Sequence, residues 1–113
     1  MEENYTIFIE NAGGMMVTRS LLEGTSKLKW IFRSESQHPD DNGWRALGDT
    51  DTEEYINVVE NNVIIDFNRL ATMEPAVLSI YQLPVGTDLV FHDDETGRYF
   101  TDIRTGERLR FEK

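Results

Sequence analysis

Apolar and polar residues alternate along this chain in short runs, each bounded by turn-forming residues. Residues 5–9 (YTIFI) alternate and are rich in β-formers, and residues 15–18 form a second run after the break at Gly13 and Gly14. The strongest run is LKWIFR, residues 28–33. It predicts a strand with Leu28, Trp30 and Phe32 together on a core face, partly opposed by Lys27, Lys29 and Arg33. Residues 34–43 are polar, contain Pro39 and Gly43, and read as an exposed loop. Residues 44–47 then form a short strand expected to pair with 28–33.

The middle of the chain is helical in pattern. Thr52 suits a helix N-cap, with Glu53 and Glu54 in the first turn, although Tyr55 stands where a capping box would have Glu or Gln. That turn breaks near Asn61 and Asn62. Residues 63–67 (VIIDF) read as a buried strand and 68–73 as a turn of helix closed by Pro75. Pro75 also suits the first position of a second helix, 76–83, whose apolar positions are Val77, Leu78, Ile80 and Tyr81. Pro84 and Gly86 stop it. Residues 88–92 and 98–103 form a hairpin on Asp94-Glu95-Thr96-Gly97, and a turn at 104–107 leads into 108–111, completing a C-terminal meander. Strands near both ends with two short helices between them predict an α+β fold with a mainly antiparallel sheet, as a single domain over residues 1–113.

Charge narrows the partners. Among 113 residues, 21 acids face 11 bases, for a formal charge of −10 and a pI near 4.5. Such a field repels phosphate backbones and anionic membrane surfaces, so neither nucleic acid nor membrane is an expected partner, whereas basic proteins are attracted. There are no cysteines, which excludes disulfides, a thiol nucleophile and thiolate zinc sites. The acidic N-terminus does not resemble a signal peptide, and no run reaches the roughly 20 apolar residues of a membrane helix. A cytoplasmic location is expected.

No catalytic motif occurs. His38 lies in the polar loop and His92 beside Asp93 and Asp94, with no nucleophile to serve either, so both read as structural or solvated. Asp49, Asp51, Glu53 and Glu60 fall at places one, three, five and twelve of a calcium-loop frame. Glu54 stands where that frame needs its turn glycine, and no cofactor or metal is expected. The acids read instead as helix-capping and solvated.

The densest cluster is residues 38–55, HPDDNGWRALGDTDTEEY. Asp40 and Asp41 precede Trp44 and Arg45; Asp49, Asp51, Glu53, Glu54 and Tyr55 follow. An aromatic beside an arginine is a common interface anchor, and flanking acids select basic partners. These nine residues are the candidate partner-binding set. Two readings of Trp44 stay open, core packing or interface anchor, and Arg45 on the bland reading pairs with Asp41 or Asp49.

The order Gly13-Gly14, an acidic loop into Gly43-Trp44-Arg45, Gly48, Glu54-Tyr55, Asp66, Asn68, Leu70, Pro75, Leu78, Pro84 and Gly86 resembles a bacterial family. It is the group numbered thirty-three among the immunity proteins of polymorphic toxin systems, formerly a domain of unknown function. The resemblance runs from about Gly13 to Phe91. It departs at Gln82, where an aspartate is expected, and at Met73-Glu74. The resemblance implies a small α+β protein without enzymatic activity that binds and blocks a toxin, and it carries no catalytic residues. The competing function is a stand-alone domain that binds a small ligand or housekeeping partner through a pocket near Trp44.

Overall fold

A computed structural model describes residues 5–109. Six strands alternate with short helical pieces: β1 (Gly14–Thr18), α1 (Arg19–Glu23), β2 (Leu28–Arg33), β3 (Asp41–Gly48), α2 (Glu53–Ile56), β4 (Asn62–Asp66), α3 (Phe67–Met73), β5 (Asp88–Asp94) and β6 (Gly97–Asp102). Two 3-10 segments, Val59–Asn61 and Pro75–Ile80, complete the order. The strands make one sheet in the order β4-β1-β3-β2-β5-β6. All neighbours are antiparallel except β1 and β3, which run parallel. The class is therefore α+β with a mostly antiparallel sheet.

One face of the sheet carries the core. Met15, Val17, Ile31, Trp44, Ala46, Leu89, Phe91 and Phe100 are buried there. Leu21 of α1, Phe67, Leu70 and Ala71 of α3, and Val77 and Ile80 of the second 3-10 segment close over them. Several local signals act as the sequence predicts. The Thr52 side chain accepts from the Tyr55 amide at the start of α2. Pro75 opens its 3-10 segment, and Asp66, read from the sequence as part of a strand, also caps α3 through the Asn68 amide. The β5–β6 hairpin turns at Gly97.

Four expectations are corrected. Residues 5–9 form no strand, and Ile7 and Phe8 are exposed. The buried amide of Asn68 holds this segment instead: Oδ1 accepts from the Phe8 and Ile9 amides, and Nδ2 donates to the Ile9 carbonyl. One side chain thus supplies the bonding that a neighbouring strand would otherwise provide. Second, the register of β2 against β3 shifts between Leu28 and Trp30. The extra residue reverses the side-chain alternation, so Leu28 and Ile31 face the core while Trp30 and Phe32 leave it half-buried on the other side. Third, the strand expected at 44–47 begins at Asp41, because the polar groups of 41–43 find partners within the fold. Fourth, the helix expected over 76–83 is 3-10 in form and ends at Ile80.

The third meander strand is reduced to one bridge, Thr101 to Arg108; residues 110 and 111 of that expected strand lie outside the described residues. Helix α1 has no counterpart among the predicted elements. A single five-residue turn is too short to show helical periodicity, and its signal is Gly24, the left-handed C-cap at φ 79°. No helix among the described residues is long and apolar enough to cross a membrane.

Candidate functional site

The candidate set runs from Asp40, just before β3, through β3 and into α2. Opposite β1, the two-residue step from Gly14 to Met16 faces the four-residue step from Asp41 to Arg45. In a straight strand, residues four apart would be about 13 Å apart. The excess at Asn42-Gly43 folds the strand, and Arg45 grips Asp41 with both terminal nitrogens at 2.9 Å. The Gln37 and Gly43 amides donate to the same carboxylate at 2.8 and 2.9 Å. Both side chains are mostly buried, with 7% of Asp41 and 13% of Arg45 exposed.

This cage decides the chemistry of Asp41. The Arg45 hydrogen bonds, helped by the two amides, hold its carboxyl well below the usual carboxylate range, against the opposite pull of burial. A carboxyl depressed by folding adds stability that is complete above its ordinary value near pH 4 and is lost as pH falls below it towards the folded-state value. Urea melts from about pH 6 to about pH 2 should therefore show an acid-side loss in the wild type that Asp41→Asn reduces, with the variant already weaker at neutral pH. Equal pH slopes for the two proteins would show that the cage contributes nothing to folding.

Trp44 points the other way. Its side chain is fully buried, and its indole Nε1 donates to the Tyr81 carbonyl at 3.1 Å. The guanidinium of Arg33 lies 5.6 Å from the ring centroid and is itself held by the Asn42 and Leu83 carbonyls. Of the two readings left open by the sequence, the fold adopts core packing. An indole with no exposed surface neither anchors a partner nor lines a ligand pocket, so both surface roles for Trp44 are withdrawn.

The acids after β3 divide into bound and open groups. Asp51 accepts from Ser20 Oγ at 2.5 Å and from the Gly48 amide at 2.7 Å, and Ser20 in turn meets Ser26 at 2.8 Å. This network ties α1 to the end of β3. Asp49 is exposed and accepts the Lys27 amide. Glu53 and Glu54 are exposed in the first turn of α2, Tyr55 is half-buried behind them, and Asp40 is exposed before β3. The sequence pattern thus brings together a structural clamp (Asp41, Arg45), a core residue (Trp44), an acid that ties α1 to β3 (Asp51) and four exposed carboxylates. His92 stacks on Tyr99 with centroids 4.8 Å apart and meets Thr101 at 2.9 Å, which places it in the hairpin surface.

Sequence reasoning passed over Asn68 and Ser20 as organisers. Both are short polar residues that the fold buries and hydrogen-bonds, Ser20 beside Leu21 in α1 and Asn68 beside Phe67 in α3.

A family model described as the immunity protein Imm33 domain matches residues 15–102. No curated protein and no solved structure matches the chain. The matched span runs from the second residue of β1 to the last residue of β6 and contains the Asp41–Arg45 clamp, the buried Trp44 and the Asn68 anchor. The chain belongs to the Imm33 immunity protein domain family.

Proposed function

We propose that the protein binds and neutralises a basic toxin, acting as a non-catalytic inhibitor in the cytoplasm. The observation that carries this reading is membership of an immunity protein family by a chain with a formal charge of −10. A field of that sign draws a basic protein into encounter and repels acidic competitors. Asp40, Asp49, Glu53 and Glu54 are the candidate-set acids exposed to act on an approaching partner. Asp41, Arg45 and Asp51 support the surface from within, and Tyr55 adds a half-buried aromatic beside the acids.

The test is binding kinetics with the protein that co-purifies from native cells. Raising salt from low to physiological ionic strength, where the Debye length falls to about 8 Å, should slow association about tenfold. Neutralising Asp40, Glu53 and Glu54 to the amides should slow it in the same direction and change dissociation less. An association rate indifferent to both salt and these charges would refute a basic partner.

A further inference from the structure

Helices α1 and α3 and the Pro75–Ile80 segment cover one face of the sheet, and the opposite face carries its own apolar group. Residues paired across neighbouring strands share a face, so the register assembles two rows. One runs Ile64–Met16–Arg45–Phe32–Asp88 and the other Leu47–Trp30–Val90–Thr101. Met16, Trp30, Phe32, Leu47 and Val90 are half-buried and Ile64 is 57% exposed. None of the six belongs to the core cluster or to the hydrophobics packed against it. The buried residues of α1, α3 and the Pro75–Ile80 segment belong to the core on the other side.

The rim of this face is acidic at one end. Strands β3 and β5 both run antiparallel to β2, so their starts lie at one end of the face and their finishes at the other. Glu35, Asp40 and Asp88 stand at the first end, whereas the second mixes Asp49 and Asp94 with Lys27 and Lys29. Of the guanidiniums on this face, Arg45 is already matched by Asp41, and Arg108, paired with Thr101 at the β6 edge, lies over the Tyr99 ring. An apolar centre inside a charged rim is the anatomy of a protein interface. The rim charge disfavours a second copy of this chain, which would bring another −10 against it, and favours a partner whose apolar patch is bordered by lysine and arginine.

We propose, resting on the toxin-binding reading above, that this sheet face, which carries none of the core-packing helices among the described residues, is where the basic toxin docks, with Trp30 as its central anchor. The docking surface is then reached from β3 through Arg45 and Leu47, while Trp44 of the same strand secures the core beneath.

The probe is a surface-displayed library of small three-helix domains with one randomised face, selected against the full chain at low salt. Selected binders are expected to carry lysine and arginine around an apolar centre. They should lose about tenfold or more in affinity on Trp30→Ser and on Ile64→Lys. Ile64 is exposed, so its variant tests the face even where Trp30→Ser impairs folding. Met73→Ser, on the exposed part of α3, should leave binding unchanged. Failure to select binders, binders that tolerate both sheet-face variants, binders sensitive to Met73, or self-association of the wild type through this face in sedimentation would each overturn the assignment. The outcome is separate from toxin neutralisation: a co-purified toxin that still binds both variants removes the docking face and leaves the toxin-binding reading intact.

Discussion

Trp44→Ala is expected to lower folding stability by about 3–5 kcal/mol, whereas Trp30→Ala should cost about 1–2 kcal/mol. The two tryptophans sit on adjacent strands, β2 and β3, but on opposite faces of one sheet. Trp44 is fully enclosed and its indole N–H is spent on the Tyr81 carbonyl, so truncation opens a large cavity and leaves that acceptor without its donor. Trp30 keeps part of its surface in water, and its loss exposes neighbours that are already half-exposed. Urea melts of the two variants provide the measurement, with midpoints and slopes compared against the wild type. Acrylamide quenching of the single-tryptophan proteins gives an independent reading: the protein that retains Trp30 should quench readily and the protein that retains Trp44 poorly. Equal destabilisation, or the reverse order of quenching, would show that the faces are assigned the wrong way round.

This reversal marks where a sequence pattern stops being sufficient. In LKWIFR the alternation of Leu28, Trp30 and Phe32 is genuine, but alternation states which residues share a face only while the strand remains regular. The irregularity between Leu28 and Trp30 is a property of pairing with β3, and nothing local to the six residues announces it. The same holds for Asp41 and Arg45. Four residues apart on a strand they should not meet; the excess residues opposite β1 bring them together. By contrast, the Thr52 cap, the Asp66 cap, Pro75 at its helical start and the Gly97 turn depend on neighbours close in sequence, and each lies where local chemistry puts it. The α+β class was legible for that reason, since strand and turn signals alternate often enough to define the sheet.

The candidate site shows the same division. The clustering of acids around Trp44-Arg45 is visible in the chain, but its meaning as a surface depends on which carboxylates find donors inside the fold. Asp41 does so through Arg45 and the Gly43 amide, which the fold in its own strand brings round, and Asp51 through the nearby Gly48 amide and Ser20 of α1. Asp40, Glu53 and Glu54 stay exposed. The stretch that looked like an interface motif is thus partly a folding device, and the apolar face it supports was hidden until the strands were placed in register.

The folding role of that stretch is sharpest at its glycine. Gly43→Ala is expected to destabilise the protein by about 4 kcal/mol, combining backbone strain with overpacking. Gly43 has φ 89°, a left-handed conformation that a side chain resists, and a Cβ there would run into the backbone carbonyl oxygen of Ser34. Ser34 cannot easily yield, because its amide is hydrogen-bonded to the Gly43 carbonyl at 2.8 Å, and the Gly43 amide is itself committed to Asp41. Moving the strands apart would therefore loosen the Asp41–Arg45 cage as well. Gly24→Ala supplies the comparison: Gly24 has φ 79°, but nothing lies within 4 Å of its would-be Cβ. That change should cost about 1–2 kcal/mol, the left-handed strain alone. Urea melts at neutral pH should separate the variants by at least about 2 kcal/mol, with the further loss at Gly43 reporting the close approach to Ser34. If Gly43→Ala costs no more than Gly24→Ala, the two strands have room to part at this corner, and the glycine before Trp44 serves the backbone angle alone.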